Sequence, residues 1–118
     1  MDWMNSIDFR LLERFLDLAA TRQTLLSSNI ANVDTPNYHT RDIDFRGELN
    51  KVLENGDSAD LPAVVREVPG LVARPDGNNV SVDREGLLLG EVQLQFSIAT
   101  EILRAKFSQW ATAIKEGS

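Results

Sequence analysis

The segment that begins at Asp76 has the side chains best suited to bind a cation. Asp76 and Asn78 have the spacing of the first oxygen ligands in a calcium-binding loop. However, Val80 and Ser81 occupy the positions that need an oxygen ligand and a glycine, and Leu87 stands where a bidentate glutamate is required. We therefore expect no calcium site here. We also expect no other metal and no cofactor, because the chain has no cysteine and only one histidine.

A second group of titratable side chains follows the residue pair Tyr38-His39. Asp42 and Asp44 alternate along a segment that we expect to be extended, so their carboxylates share one face. A general acid/base pair would also need a pocket, and we expect instead a solvated strip of ion pairs with Arg41 and Arg46. His39 is expected to be a surface or turn residue. We predict no catalytic residues and no enzymatic activity.

The composition is that of an ordinary folded domain with an acidic centre. The 118 residues include 12 Lys and Arg against 18 Asp and Glu, which gives a net charge of −6, and 42% are apolar. Residues 42–91 carry five basic and eleven acidic groups, whereas residues 1–41 and 92–118 are nearly neutral. Wholesale disorder is therefore excluded. We expect no nucleic-acid partner, because such binding needs a basic surface.

The elements that must position these residues are predicted to be mainly α-helical. Near the N-terminus, six of seven positions at 3-4 spacing are apolar, which is typical of an amphipathic helix. These positions are Leu12, Leu16, Ala19, Gln23, Leu26, Ile30 and Val33. Asn5, Ser6 or Asp8 is suited to cap this helix, and Pro36 disfavours helix at Thr35.

The C-terminal segment has the same periodicity, with one polar position among eight. These positions are Leu89, Val92, Phe96, Ala99, Leu103, Lys106, Trp110 and Ala113. We predict a helix of about 25 residues over 91–116. Gly86 and Gly90 each weaken a helix by up to about 1 kcal/mol relative to Ala, so they leave its start open. The two terminal helices are expected to pair as an antiparallel, coiled-coil-like hairpin.

The middle is predicted to be small and irregular. Residues 45–53 favour a short helix, and residues 63–68 and 71–74 flank Pro69-Gly70 with several valines, which favours a β-hairpin. The segment 80–83 is expected to be extended before it caps the last helix. We divide the chain, as one structural domain, into an N-terminal helix with its motif (1–38), an acidic middle (39–83) and a C-terminal helix (84–118).

Several large apolar side chains fall outside the seam between the two helices. They are Phe15, Leu25, Ile102, Phe107 and Ile114. Each is worth about 1.5–3 kcal/mol when fully buried, and exposed apolar faces of this kind mark partner surfaces. We therefore expect other copies or related subunits to cover them.

The run SSNIANVDTPNY at residues 27–38 ends the first helix. Asn29 and Asn32 lie three residues apart, so they share one side of the helix end, and their amides can satisfy the backbone groups freed there. The motif is consistent with a simple helix stop followed by a turn, or with polar groups that bond to neighbouring subunits. On the residues alone both interpretations stay open, and the resemblance described next favours the second.

This motif resembles the signature of the axial proteins of the bacterial flagellum. Its continuation at residues 41–45, the run DGNNVSVDRE at 76–85 and the tail ILRAKFSQWATAIKEG at 102–117 are similar to the basal-body rod proteins within that group. The resemblance covers residues 9–54 and 76–117. The resemblance implies that the following residues form an assembly motif: Ser27, Ser28, Asn29, Ile30, Asn32, Asp34, Thr35, Pro36, Asn37 and Tyr38.

The resemblance implies a structural subunit of the proximal rod, which assembles helically, transmits torque and forms part of the export-channel wall. It implies contacts with other rod proteins, copies of itself, the MS-ring adaptor protein and export gate proteins. The residues expected at helix-packing or subunit interfaces are Leu12, Leu16, Ala19, Leu26, Ile30, Val92, Phe96, Ala99, Leu103 and Trp110. A soluble helical adaptor that forms a discrete oligomer is the alternative.

The expected location is the flagellar basal body, reached through the flagellar type III pathway without a cleaved signal peptide. The first residues lack a basic region followed by an uninterrupted apolar run. Trp3 and Trp110 are suited to a membrane interface, but Asp2, Asp8 and Glu13 oppose binding to an anionic surface. We therefore expect no direct lipid binding.

Overall fold

The computed structural model describes residues 6–55 and 61–117 of the chain. Three helices and two strands follow one another along it. In chain order they are α1 (Ser6–Ala31), β1 (Arg41–Ile43), α2 (Phe45–Asn55), β2 (Val65–Glu67) and α3 (Val82–Gly117). The predictions that concern Asp2, Trp3 and Asn5 lie outside the described residues.

Helices α1 and α3 form an antiparallel hairpin, as predicted. The ring of Phe9 lies 5.8 Å from that of Trp110 at one end, and Asn29 is bonded to Glu85 at the other. The hairpin makes the fold elongated, with extents of 68 × 27 × 16 Å and a radius of gyration of 18.2 Å. A compact domain of this length would have a radius of gyration of about 13–14 Å. Among the described helices, none is long and apolar enough to cross a membrane.

The core lies in the half of the hairpin next to the motif. Ala19, Leu26 and Val92 form a fully buried cluster, because their 3-4 and 7-residue periodicity turns them to the seam. The half-buried side chains that pack against this cluster are Phe45, Leu88, Leu89 and Phe96. Phe45, the first residue of α2, also meets Phe15 of α1 edge to face at 5.2 Å. The middle of the chain therefore covers one side of the hairpin.

Helix α1 ends at Ala31, inside the motif that was predicted to end it but before Val33 and Pro36. Its last turn closes with bonds from Asn32 N to Ser28 O (3.0 Å) and from Val33 N to Ile30 O (3.1 Å). Beyond Pro36 the chain turns through Asn37, whose φ of 64° is left-handed, a conformation that asparagine tolerates better than most residues.

Helix α3 begins earlier than predicted and has 36 residues, about 54 Å of helix. The prediction that residues 80–83 are extended is wrong for its last two residues, because α3 begins at Val82. Ser81 caps it, with its Oγ accepting from Arg84 N at 3.3 Å. The helix continues through Gly86 and Gly90, since this cap and the packing of its first turns outweigh two weak helix formers.

The middle contains the predicted helix but not the predicted strand pairing. Asp44 caps α2, with its Oδ1 accepting from Gly47 N at 3.1 Å. The predicted hairpin around Pro69-Gly70 is wrong, because β2 pairs antiparallel with β1, with Arg41 opposite Glu67. The bond from Val68 N to Thr40 O at 2.9 Å extends this pairing. Residues 71–74 lead instead into a turn that Arg74 N closes on Asn78 O at 2.8 Å.

Candidate assembly site

The motif at the end of α1 is organised around the fully buried side chain of Asn29. Its Nδ2 donates to Arg41 O (2.9 Å) and to Glu85 Oε1 (2.5 Å). Its Oδ1 accepts from Tyr38 OH (2.9 Å) and Arg41 N (3.1 Å). Two donors and two accepted bonds saturate an amide, so the prediction that Asn29 bonds to a neighbouring subunit is wrong. Asn29 joins α1, β1 and α3 within one chain.

Two acidic and two basic side chains extend this network. Asp42, which is buried, receives Arg22 Nε on Oδ1 at 3.1 Å and Arg22 Nη2 on Oδ2 at 3.1 Å. Arg84 donates to Glu85 Oε2 at 2.6 Å and lies 3.9 Å from Asp42 Oδ2. Two carboxylates therefore face two guanidinium groups, which is the condition under which charges can be buried. The predicted solvated strip is wrong for Asp42, although Asp44 is exposed and lies 3.8 Å from Arg66.

A second buried amide, Asn78, fastens the end of α1 to the segment before α3. Its Nδ2 donates to Asn32 O and to Thr35 O, both at 2.8 Å, and its Oδ1 accepts from Val80 N at 2.8 Å. Asn32 is itself bonded inside the motif, with Nδ2 donating to Ser28 O at 2.8 Å. The backbone groups left free where α1 stops are thus satisfied by the chain itself.

The turn at residues 74–79 completes this arrangement. Asn37 N donates to Asp76 O at 2.9 Å, and Arg74 Nη2 donates to Val33 O. Gly77 has a φ of +85°, and a Cβ there would collide with Asn37 Oδ1, so this position requires glycine. Asp76 Oδ1 accepts from Asn78 N at 3.0 Å. The segment that resembles a calcium loop is therefore a hydrogen-bonded turn.

Thr40, also fully buried, ties β1 to the same segment. Its backbone N donates to Asn79 Oδ1 at 2.7 Å. We call the residues joined by these contacts the polar junction: Arg22, Asn29, Tyr38, Thr40, Asp42, Asn78, Arg84 and Glu85. Five of them are buried, and Arg22, Tyr38 and Arg84 are half-buried. The sequence did not assign roles to five of these residues, Arg22, Thr40, Asn78, Arg84 and Glu85. Asn78, Arg84 and Glu85 lie in the run DGNNVSVDRE, and Thr40 directly precedes residues 41–45, so four of the five lie in or beside segments that carry the family resemblance.

The predicted motif residues differ in exposure. Asn29 is buried; Ser28, Ile30, Asn32 and Tyr38 are half-buried; Ser27, Asp34, Thr35, Pro36 and Asn37 are exposed. The predicted packing residues line the seam inside the chain. Leu12, Ala19, Leu26, Val92 and Ala99 are buried, and Leu16, Ile30, Phe96, Leu103 and Trp110 are half-buried.

The other end of the hairpin is covered far less completely. We call residues 9–16 of α1 and 98–114 of α3 the open half. A groove of about 310 Å³ on one side of its seam is lined by Leu11, Leu12, Phe15, Ile98, Ala99, Ile102 and Lys106. A smaller groove of about 140 Å³ is lined by Phe9, Leu12, Glu13, Leu16, Leu103 and Phe107. Both grooves are almost entirely apolar, which suits them to receive the side chains of another helix.

A buried carboxylate anchors the loop that follows α2. Glu48 accepts from Val64 N at 3.2 Å and from Lys51 Nζ at 3.1 Å, and Arg14 Nη2 lies 3.5 Å away. Burial alone would raise the pKa of Glu48, but the bonds from Lys51 and Val64 and the charge of Arg14 hold that pKa below its ordinary value of 4.5. The ionised form therefore favours the folded state above pH 4.5, and this contribution is lost as the pH falls through the lowered pKa.

The remaining titratable side chains form no reactive cluster in the described parts of the chain. His39 is exposed, with Nδ1 3.4 Å from Glu67 Oε2. Within residues 6–55 and 61–117, no three His, Asp or Glu side chains converge on a position where they could hold a metal ion. The site consists of a saturated polar junction and an apolar open half, and this geometry can support packing and recognition.

Comparison with known proteins agrees with the motif. The profile of the family described as "Flagella basal body rod protein" matches residues 16–39. The chain is 31% identical to the flagellar basal body rod protein FlgB of Escherichia coli K12, over 92% of this chain and 94% of that protein. It is 36% identical to the protein of the same name from Cereibacter sphaeroides, over 85% and 88%. It is 30% identical to that from Borreliella burgdorferi, over 86% and 89%.

Proposed function

Because the chain belongs to the FlgB family of flagellar basal body rod proteins, it is a structural subunit of the rod, and we propose that its open half is the surface that assembles. The protein is located in the flagellar basal body and assembles with other rod components. We propose that this role is purely structural, without catalysis.

One observation carries the proposal. The open half holds large apolar side chains beside two apolar grooves, and Phe107 and Ile114 are exposed on it. Apolar surface that stays in water adds no stability to an isolated hairpin. When a neighbouring helix covers that surface, the complex gains about 25 cal/mol of free energy for each Å² removed from water. The assembled rod is a setting in which every subunit receives that cover.

The motif has a different role in this proposal. The polar junction sets the register and angle at which the hairpin leaves the middle, so that each subunit presents its open half in the same geometry. The division into segments 1–38, 39–83 and 84–118 is proposed in the same sense: two helical segments that assemble and an acidic segment that faces outward.

The family resemblance supports more specific proposals about the position of the chain in the rod and its partners. We propose a proximal position in the rod, with contacts to copies of the chain, to the MS-ring adaptor protein and to export gate proteins. We also propose export through the flagellar type III pathway, a share in the channel wall and transmission of torque. Cross-linking from positions in the open half, followed by identification of the linked proteins, tests these contacts individually.

The experiment that tests the assembly surface is complementation of a strain that lacks its own copy of this gene. Phe107→Asp places a charge in a packed contact and should abolish rod formation and swimming, since an unpaired buried charge costs several kcal/mol. Val72→Asp is the matched control, because Val72 is 89% exposed and lies outside the hairpin. Normal rods with Phe107→Asp would exclude the open half as the assembly surface.

A further inference from the structure

Helix α3 exposes an aliphatic stripe on a face that the seam does not use. Leu87, Leu94 and Ile98 are 75%, 61% and 52% exposed. Their spacings of seven and four residues place them on one side of the helix. The stripe begins at the wider groove of the open half, because Ile98 also lines that groove. It is therefore continuous with the surface proposed for assembly.

Helix α1 exposes a face with the matching pattern. Ala20, Thr24 and Ala31 are exposed, and they are spaced four and seven residues apart. When two helices run antiparallel, this order places Ile98 over Ala20, Leu94 over Thr24 and Leu87 over Ala31 in a single register. Large side chains on one helix then pack over small ones on the other, which allows close approach of the two helices.

The same register is complementary in polar groups. It places Glu91 opposite Ser27, whose hydroxyl can donate to a carboxylate, and both residues are exposed. A hydrogen bond between these two side chains would favour this register over a shifted one.

Two glycines beside the stripe point to the same contact. A Cβ added at Gly86 or at Gly90 would meet nothing within 4 Å. Nothing inside the chain therefore requires these residues, although both weaken the helix that contains them. Because glycine has no side chain, these two residues would allow a neighbouring helix to approach this face closely.

We propose that the exposed face of α3 packs antiparallel on the exposed face of α1 from a second copy of this chain, with Ile98 over Ala20. This inference rests on the proposed function and adds the partner and the register. The two faces differ, so the contact is heterologous and leaves each copy able to bind another, which produces a helical array. A single contact of this length is smaller than a standard stable interface, so isolated chains remain separate and the array holds them together.

The experiment is disulfide cross-linking, because the chain has no cysteine of its own. A tagged chain with Ala20→Cys and an untagged chain with Ile98→Cys are expressed together in the complementation strain, and isolated basal bodies are oxidised. We expect a disulfide between tagged and untagged chains. The matched control pairs Ala31→Cys with Ile98→Cys. It should give none, since Ala31 lies about 16 Å further along α1 and a disulfide needs Cα atoms within about 7 Å.

A second variant keeps the test decisive if a cysteine chain does not swim. Ala20→Trp changes an exposed position, so the purified chain should keep its helical circular dichroism while cells lose swimming; Thr21→Trp, at the next exposed position, should keep both. Equal cross-linking in the two cysteine pairs, no disulfide in rods of swimming cells, or equal swimming with both tryptophan variants would overturn the inference. Rods that form normally in those strains would leave the proposed function standing. If the unmodified chain restored no rods, both would fall.

Discussion

The two ends of the hairpin differ in how far the chain itself satisfies their side chains. At the polar junction, hydrogen bonds and ion pairs inside the chain satisfy Asn29, Asp42 and Glu85. In the open half, apolar side chains pack on each other only in part, as where Phe107 meets Trp110 at 5.3 Å. The buried polar groups of the first end need no partner outside the chain. Large apolar side chains of the second end are exposed, and we propose that a neighbouring subunit covers them.

This difference separates specificity from association. Hydrogen bonds contribute modestly to net stability but are costly to leave unmade, so the junction permits one geometry and penalises others. Apolar contact is non-directional, so the open half supplies attraction without fixing an angle. In this proposal the polar junction fixes the conformation of the subunit, and the open half supplies the attraction between subunits.

The largest expected effect comes from breaking the junction at Glu85. Glu85→Ala leaves the half-buried Arg84 without its closest partner and the buried Asn29 without one acceptor. Removal of one partner from a buried ion pair typically costs about 3–5 kcal/mol. We expect a loss of this size in the free energy of unfolding, measured by urea denaturation of the purified chain. Glu91→Ala, at an exposed position on the same helix, is the control and should stay within about 0.5 kcal/mol of the parent.

The comparison between the two halves is sharpened by one pair of truncations. Leu26→Ala removes a side chain from the buried cluster and should lower the free energy of unfolding by about 2–5 kcal/mol. Leu103→Ala changes a half-buried position in the open half and should cost clearly less in the isolated chain. Denaturant titrations of both purified variants measure this ratio. Equal losses would mean that the open half is already packed as a core before assembly.

The helical part of this architecture was predictable and the junction was not. The 3-4 periodicity around Leu26 is a local signal, and so is Pro36, which disfavours helix at Thr35. In contrast, Glu85 in the sequence resembles any exposed helix-start glutamate, and its burial depends on Asn29, 56 positions away. The pairing of β2 with β1 is equally non-local, whereas the valines around Pro69-Gly70 favoured a local hairpin that the turn at residues 74–78 replaces.

The next effect distinguishes the two asparagines of the motif. Asn29→Ala leaves partners on Tyr38, Arg41 and Glu85 unsatisfied, at about 1–3 kcal/mol for a buried group. Asn32→Ala removes a bond within one turn of helix at a half-buried site and should cost less. Thermal unfolding of both purified chains tests the order. A neutral Asn29→Ala would return the motif to a simple helix stop.

The smallest expected effect, that of replacing the helical glycines of α3, is favourable in the purified chain and unfavourable in the rod. Gly86→Ala and Gly90→Ala replace exposed helical glycines around which a Cβ meets nothing within 4 Å. Each should raise the free energy of unfolding of the isolated chain by up to about 1 kcal/mol, because alanine is the better helix former. In the rod, the added methyl groups would occupy space that the neighbouring α1 needs, so swimming should decrease while the purified chain becomes more stable. Urea denaturation and swimming of the double variant give the two readings, and Gly117→Ala, at the far end of α3, is the control. A double variant that is more stable and swims normally would show that these glycines face solvent in the rod as well.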